Sequence, residues 1–397
     1  MKEINNSINK EFFKKFPEIY LKPSKVNKFL KKQSNQIEKV IKNKFLNLEL
    51  DQNFAIYANG GFGRKEIFPT SDIDISIVEK NKKNEYKNLE QFITFLWDQG
   101  YRVGHSIRSI SQIKKVSKED LKEYTSYLTR RPIISNQIID KKINHALSEL
   151  WSKNNFYNAK FIEQQRRHSK FFSTAYNLEP DLKESPGTLR DFQSALWILQ
   201  HCFDLKNFKE ISKSNIFHRE LDDAIDAYNF IKLLRFATNI TTKKNRLNFE
   251  AQIEISKKAK IMAKSAKDSV EKMMRKFYEN VSTLSYFNEI VFEKFNEKYP
   301  QANFLKIIQG INKYKNVVGL KNVGLRENKH LIFEIFIELG KSKKINKIDT
   351  STKSLIKKNS SLVDEDFRRN KTYANQFLQI LGSKYNLSSI LRTMKSL

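Results

Sequence analysis

Residues 59–78 read Asn-Gly-Gly-Phe-Gly-Arg-Lys-Glu-Ile-Phe-Pro-Thr-Ser-Asp-Ile-Asp-Ile-Ser-Ile-Val, and they carry the strongest structural signal in the chain. The β-branched side chains in the second half predict a strand, because such side chains suit a pleated, half-buried surface. Side chains alternate along a strand, so Asp72 and Asp74 project from the same face. An apolar run at 54–58 predicts an earlier strand that leads directly into the two adjacent glycines.

The aspartates and glycines together predict a site for a metal and a triphosphate. Adjacent carboxylates repel each other and are costly to bury unless a cation neutralises them. Mg²⁺ takes oxygen ligands, commonly one or two carboxylates together with substrate phosphates. Gly60 and Gly61 lack side chains, so their backbone can approach a triphosphate and offer it N–H groups. Each motif alone is common on solvated surfaces, but their order and spacing are typical of the palm of polymerase-β-type nucleotidyltransferases.

The composition excludes several classes of protein. The chain has 397 residues, enough for two or three domains with full cores. Its one cysteine, Cys202, lies in an apolar stretch and is expected to be a buried, inert thiol. The N-terminus lacks an apolar signal core, and no run approaches the ~18 apolar residues that cross a bilayer. We therefore expect a soluble, cytoplasmic protein without membrane contact.

The net charge of +29 raises the question of nucleic-acid binding. The basic residues are mostly lysines, spread along the whole chain beside many asparagines and isoleucines, a composition that AT-rich coding favours regardless of function. We therefore expect no nucleic-acid partner, although a positive surface attracts anionic nucleotides at low salt.

The residue pattern changes from mixed to helical along the chain, which predicts an α+β fold with the palm followed by a mostly α-helical region. A helix is expected from Val26 with Ser24 as its N-cap, and 101–108 is expected to form a further palm strand. The expected segments are an N-terminal helical segment at 1–50, the palm at 51–140, a helical domain completing the nucleotide site at 141–300, and a helical C-terminal region at 301–397.

A second group of polar residues lies far from the palm, in the sequence Leu-Glu-Pro-Asp-Leu-Lys-Glu-Ser-Pro-Gly-Thr-Leu-Arg-Asp at 178–191. Its prolines and glycine predict a structured loop that ends at a helix. Asp191 falls in the first turn of that helix, where a carboxylate suits the helix dipole, so it needs no chemical role. Lys183 and Arg190 are cations on one loop and could meet phosphates.

With this loop included, the chain resembles the uridylyltransferase/uridylyl-removing enzymes of bacterial nitrogen control, which use UTP to modify a tyrosine of PII signal proteins. The resemblance extends over almost the whole chain, at 60–75, 97–108, 178–191, 246–252, 367–369 and 390–394. It implies transfer of UMP to a PII protein, with Asp72 and Asp74 as catalytic residues that hold Mg²⁺ or Mn²⁺. The expected UTP-binding residues are Gly60, Gly61, Arg64, Ser71, Lys183 and Arg190.

The chain also departs from the pattern of the family. After a segment like 391–394 the family continues into a His-Asp phosphohydrolase domain and two ligand-sensing domains, so we expect no uridylyl-removing activity in this polypeptide. The Gly-Gly pair that precedes Leu-Arg-Asp in the family is Gly187-Thr188 here. The sequence Arg-Arg-Pro at 130–132 replaces an acidic residue and small apolar ones, a change that could weaken activity.

A third metal carboxylate, common among such enzymes, is not evident. The strand at 101–108 offers His105 and Ser106 at the natural place, and the family resemblance includes the same pair. Asp98 and Asp120 remain candidates for a third ligand or a general base.

Three other functions stay open. A glutamine-synthetase-type adenylyltransferase shares the Gly-Gly and Ser-Asp-x-Asp elements, but the loop at 178–191 favours the PII-modifying family. A non-catalytic nucleotide- or PII-binding remnant is disfavoured, because a relaxed site should lose its costly paired carboxylates. An RNA nucleotidyltransferase is supported only by charge.

Overall fold

A computed structural model gives the structure of the chain and describes all residues except 1, 49, 51–53, 80–85, 149, 172–173, 215–217, 299–304, 309–310, 315 and 321–323. The chain forms two compact units, residues Met1–Asn288 (unit 1) and Glu289–Leu397 (unit 2). The predicted boundaries after residues 50 and 300 lie next to residues that the structure does not describe.

Unit 1 combines one sheet with many helices. Its elements in chain order are α1 (Lys2–Lys14), α2 (Phe16–Leu21), α3 (Val26–Leu46), β1 (Phe54–Ala58), α4 (Gly60–Gly63), β2 (Ile73–Glu79), α5 (Tyr86–Asp98), β3 (Val103–Ser109), α6 (Ile110–Glu119), α7 (Leu121–Leu128), β4 (Arg131–Ile134), α8 (Gln137–Leu147), α9 (Lys153–Ser169), α10 (Leu189–Cys202), α11 (Phe208–Lys213), α12 (His218–Thr242), α13 (Phe249–Lys258) and most of α14 (Ala266–Lys298).

The sheet of unit 1 has the strand order β3-β2-β1-β4. Strand β2 runs antiparallel to β1 and parallel to β3, and β4 pairs antiparallel with the other side of β1. Ile75 and Ile77 of β2 share a core with Phe92 of α5 and with residues of α3. Since side chains alternate, Asp72 and Asp74 project from the opposite face. The three strands predicted around these aspartates are confirmed, and the fold mixes α and β structure.

The N-terminal helices differ from the prediction. Helix α3 covers the expected helix, but α1 and α2 precede it. Ser24 is not an N-cap, because Pro23–Lys25 form a 3₁₀ turn and Lys25 precedes α3 without a side-chain capping bond. A proline suits the first turn of a helix, so the chain enters α3 through this tighter turn. Phe12 of α1 packs against Phe236 of α12, with ring centroids 4.4 Å apart.

Helix α12 is the central helix of unit 1. Residues 227–239 are all buried, among them the polar side chains of Asn229, Lys232 and Arg235. A helix buried on all sides must supply partners for such polar groups, because an unpaired buried polar group is costly. Arg235 lines the candidate site described below, Lys232 donates to Glu66 beside it, and Asn229 accepts from Asn27 of α3. Within the described ranges, no helix combines the length and apolar character needed to cross a membrane.

Unit 2 contains a sheet that the sequence analysis did not anticipate. Its elements after α14 are β5 (Leu305–Ile308), β6 (Ile311–Tyr314), β7 (Val317–Leu320), α15 (Leu331–Lys341), β8 (Lys347–Ile348), α16 (Thr350–Lys358), α17 (Glu365–Arg369), α18 (Lys371–Leu381) and α19 (Leu387–Ser396). The strands form one sheet in the order β5-β6-β7-β8, with β7 and β8 parallel. Helix α15 supplies the largest share of the core, and the expected helical character holds for 331–341 and 350–396 only.

The loop before α10 depends on Gly187. Its φ of +74° lies in the left-handed region that L side chains rarely adopt. A Cβ at this position would lie 2.7 Å from the carbonyl oxygen of Val281, which belongs to the backbone of α14. Gly100, which follows α5, has a similar φ of +76°, but a Cβ there would meet no heavy atom within 4 Å.

We therefore expect Gly187→Ala to lower the free energy of unfolding by about 1–3 kcal/mol more than Gly100→Ala, because overpacking adds to the cost of the left-handed backbone. Urea denaturation of both variants beside the parent measures this difference. Equal losses for the two variants would show that α14 can move aside to accept the added methyl group.

Candidate functional site

Unit 1 contains an open cleft of about 960 Å³ between the sheet and helices α7, α9, α10 and α12. All the site residues predicted from the sequence line this cleft: Gly60, Gly61, Arg64, Ser71, Asp72, Asp74, Lys183 and Arg190. The fold thus brings the aspartate strand together with a loop more than 100 residues away in the sequence. The structure shows that these residues line one cleft, whereas their roles in binding and catalysis stay predictions.

The two glycines begin a short helical turn, α4, directly after β1. Asn59, the last residue before the turn, donates its backbone N–H to the Asp74 carbonyl oxygen at 2.9 Å, which fixes the turn beside the aspartate strand. Gly60 has a φ of +51°, and a Cβ there would lie 3.1 Å from Asp74 Oδ2. Only glycine combines this backbone with so close an approach to a carboxylate.

Arg131, part of the unusual Arg-Arg-Pro sequence, supports the same turn from β4. Its guanidinium donates to the carbonyl oxygen of Gly63 at 3.1 Å and pairs with Glu38 of α3 at 2.8 Å. Arg130 lies over the ring of Tyr57 in β1, 5.5 Å from its centroid. These arginines therefore have structural partners in unit 1.

The two carboxylates differ in their surroundings. Asp72 lies just before β2, its side chain is 62% exposed, and its only described ion-pair partner is the exposed Arg102 at 3.5 Å. Asp74 faces the cleft, and among the described residues it has no ion-pair partner. Burial by the surrounding protein and the charge of Asp72 raise the pKa of Asp74 above its usual range. Two neighbouring carboxylates with a single exposed ion pair between them and the described residues are the kind of oxygen ligands that fit a divalent cation.

Strand β3 supplies no third carboxylate beside this pair. Gly104 is the residue opposite Asp74, and a Cβ there would lie 2.7 Å from Asp74 Oδ1. Asp120 lines the cleft as the N-cap of α7, where it accepts the backbone N–H of Lys122 at 2.7 Å, whereas Asp98 does not line it. Within the described part of the chain, no group of three or more acidic, histidine or cysteine side chains is arranged to hold a metal.

The carboxylate of Glu66 joins the glycine turn to α12. It accepts hydrogen bonds from Arg64 Nε at 3.0 Å, from the Tyr228 hydroxyl at 2.8 Å and from Lys232 Nζ at 3.3 Å. Burial opposes ionisation of this group, but the charges of Lys232 and Arg64 outweigh it and hold the pKa of Glu66 below its usual range. Arg64 therefore lines the cleft with one of its nitrogens already engaged.

Ser71, the other predicted contact in this segment, is also engaged. Its hydroxyl oxygen accepts the backbone N–H of Phe68 at 3.2 Å, and its own N–H donates to the Phe68 carbonyl at 2.9 Å. These bonds close the turn that leads into β2. The hydroxyl hydrogen of Ser71 stays available to an acceptor in the cleft, since an alcohol can donate and accept at once.

The loop at 178–191 is held by two aspartates, the partly exposed Asp181 and the buried Asp191. Asp181 accepts the backbone N–H groups of Lys183 and Glu184 at 2.8 and 2.7 Å, which fixes the turn. Asp191 accepts from Arg167, His168 and the backbone N–H of Gly187. Although burial opposes it, the hydrogen bond from His168 and the charge of Arg167 hold the pKa of Asp191 below its usual range.

Thr188, at the position where the resemblance implies a second glycine, fits the backbone of this loop. Thr188 has an ordinary φ of −104°, and its hydroxyl donates to the Ser185 carbonyl at 2.6 Å. The left-handed backbone falls on Gly187, which the chain retains.

Lys183 and Arg190 face the carboxylates across the cleft. Glu184 lies between them, 3.2 Å from Arg190 Nη2 and 3.7 Å from Lys183 Nζ. Burial and the charge of Arg190 lower the pKa of Lys183. The charge of Lys183 in turn lowers the pKa of Asp74, opposing the effect of burial. Lys183 and Asp74 both line the cleft, as a shared ligand would require.

Sequence reasoning missed two further cations that line the cleft. Arg235 of α12 lies over the Phe68 ring at 4.0 Å, and burial lowers its pKa to about 10. Lys160 of α9 lies over the Trp197 ring at 4.1 Å, and burial lowers its pKa to about 8. The sequence signal that could have indicated both residues is a lysine or arginine at a position where the helical pattern predicts burial.

Comparisons with known proteins identify the relatives of the chain. The family model described as GlnD PII-uridylyltransferase matches residues 155–292, and the model described as the third domain of uridylyltransferase GlnD matches 320–397. Similar curated proteins, each named bifunctional uridylyltransferase/uridylyl-removing enzyme, come from Acinetobacter baylyi (31% identical over 91% of this chain), Haemophilus influenzae (34% over 65%) and Hydrogenovibrio crunogenus (28% over 97%).

These matches cover 43%, 31% and 45% of the respective relatives, so the chain spans less than half the length of the proteins it matches. The first family model lies almost wholly in unit 1 and the second lies in unit 2, and the alignments with the Acinetobacter and Hydrogenovibrio proteins reach 91% and 97% of this chain. The chain therefore belongs to the family of GlnD uridylyltransferase/uridylyl-removing enzymes.

Proposed function

We propose that the chain transfers UMP from UTP to a tyrosine of a PII nitrogen-regulatory protein and releases pyrophosphate. One observation carries the proposal: the glycine turn, the two neighbouring carboxylates and two loop cations meet in one cleft, in a chain of this family. The sheet of unit 1, with its aspartates beside a glycine turn, has the features of a polymerase-β-type palm. The expectation that this polypeptide lacks uridylyl-removing activity stays a prediction.

Asp72 and Asp74 would hold Mg²⁺, or Mn²⁺ in its place. When bound, the ions lower the pKa of the attacking hydroxyl and neutralise the leaving group in an in-line displacement. The tyrosine oxygen forms a bond to the α-phosphorus of UTP, the bond to the bridging oxygen of the β-phosphate breaks, and the phenol proton passes to solvent.

The chain itself contributes positioning and charge. The N–H groups at Gly60 and Gly61 and the hydroxyl of Ser71 would contact the triphosphate from the sheet side. Lys183 and Arg190 would meet it from the loop, because cations placed before the reaction stabilise the developing charge without reorganisation.

We expect Asp72→Asn and Asp74→Asn each to lower transfer by about 100-fold or more, because each removes a charged ligand from the site of charge development. The measurement is transfer of label from α-labelled UTP to purified PII protein with Mg²⁺, with ATP in a parallel reaction. Normal transfer by either variant would overturn the assignment. Labelling from ATP instead of UTP would indicate an adenylyltransferase, and no labelling from either would indicate a remnant.

Asp74→Asn should also change stability in a pH-dependent way. A carboxyl whose pKa is raised on folding destabilises the folded state when it is ionised, so the neutral variant should be the more stable one at pH 8 without divalent cations. The difference should shrink as the pH falls through the raised pKa, because Asp74 itself becomes protonated. Thermal unfolding measures this, and Mg²⁺ should reverse the order. A less stable variant at pH 8 without metal would contradict it.

Arg190→Met should raise the KM for UTP by about tenfold, since a charge-assisted hydrogen bond contributes about 1.5–3 kcal/mol. Arg246→Met is the matched control, because Arg246 is 63% exposed, pairs with Glu179 and does not line the cleft. Initial rates at varied UTP concentration distinguish the two variants. Equal KM values for both would remove Arg190 from the nucleotide site.

A further inference from the structure

The two edges of the sheet in unit 1 differ in their capacity to accept another strand. The β4 edge has four residues, contains Pro132 and has a register shift where it pairs with β1. Such features block further strand pairing. The β3 edge has seven residues, contains no proline and keeps a regular register with β2 along its whole length. Within the described residues, no strand pairs with its outer side.

The outward-facing backbone groups of β3 can be assigned. Ile73 donates its N–H to the Arg102 carbonyl at 2.8 Å. In a parallel pair alternate residues of a strand face its partner, so Gly104 and the even-numbered residues after it engage β2. The N–H and carbonyl groups of Val103, His105 and Ile107 therefore point to the outer side, where they are free to pair with an added strand.

This edge lies next to the candidate site. Gly104 is directly opposite Asp74 in the register and is exposed. A Cβ at Gly104 would lie 2.7 Å from Asp74 Oδ1, so any side chain here would crowd the carboxylate and block the path to it from the edge. The lack of a side chain keeps that path open.

An exposed aromatic residue borders the same strand. Trp97, at the end of α5, is 52% exposed, and its ring lies 5.8 Å from that of His105. Exposed tryptophan is unusual on a surface without a partner and is enriched at protein interfaces. Its position extends the edge into a surface with both backbone and aromatic contacts.

We propose that the acceptor protein adds an extended segment to the outer edge of β3, and that its tyrosine reaches Asp74 across Gly104. The inference rests on the proposed function and names how the acceptor binds. Strand addition of this kind gives affinity through backbone hydrogen bonds. An added strand lies two strand spacings, about 9.5 Å, from β2. A long hydroxyl-bearing side chain is needed to cross that distance, which fits tyrosine and disfavours serine.

His105→Pro tests the edge. It removes an N–H that faces outward and leaves the β2–β3 hydrogen bonds in place, as is tolerated on edge strands. Efficiency of transfer (kcat/KM for PII protein) should fall about tenfold or more, since a hydrogen bond is lost and the ring obstructs pairing. Affinity for UTP should be retained. His105→Ala, which keeps the N–H and removes the side chain, should retain most of the efficiency.

A cross-linking experiment covers the case that the proline variant misfolds. Cys202 is buried, so His105→Cys introduces an accessible thiol, and Met262→Cys, at a position 91% exposed, is the control. A PII protein with a cysteine beside its acceptor tyrosine should form a disulfide with the first variant in preference to the second.

The outcomes separate the two proposals. Parent chain that labels no PII protein, from either nucleotide, overturns the proposed function and this inference with it. If the parent chain labels PII protein, two results would overturn only the proposal that the acceptor binds at the β3 edge. These are a folded His105→Pro variant of equal efficiency, or no cross-linking preference for position 105.

Discussion

The buried carboxylate of Glu66 is the interaction on which the arrangement of the cleft depends. It lies on the loop after the glycine turn and accepts hydrogen bonds from Tyr228 and Lys232 of α12, which ties the sheet to the helical half of unit 1. A carboxylate buried among cations is costly to separate from them, because removing one partner leaves an uncompensated charge. The segment after the glycine turn and helix α12 are therefore held together before any ligand binds.

Three acidic side chains of the cleft region show how structural and functional charges differ. Glu66 and Asp191 are deeply buried, yet cations and N–H donors hold the pKa of each below its usual range. Asp74 is exposed in the cleft, and desolvation by the protein around it together with the charge of Asp72 raises its pKa. A carboxyl with a perturbed pKa in a cleft is a candidate functional group, and the role of Asp74 in holding a cation stays a prediction.

The sequence predicted what local patterns determine. Alternating β-branched residues defined β2, and the adjacent aspartates and glycines defined the residues now found around the cleft. Contacts between residues far apart in the sequence could not be predicted, because nothing in the sequence near Glu66 indicates that Tyr228 is its partner. The sheet of unit 2 was missed since its strands are only two to four residues long, too short to show a periodic pattern. Ser24 failed as a cap because the preceding proline favoured a 3₁₀ turn.

The structure explains how the chain accommodates its departures from the pattern that the resemblance implies. Of the two glycine positions before Leu189, the chain retains Gly187, whose left-handed backbone and contact with α14 admit no side chain. It changes the next position to Thr188, where the backbone is ordinary and the hydroxyl finds an acceptor. Arg131, in the Arg-Arg-Pro sequence, donates to the backbone of the glycine turn. Thr188 and Arg131 therefore stand where the backbone accepts a side chain, and both make hydrogen bonds that hold the loop and the glycine turn.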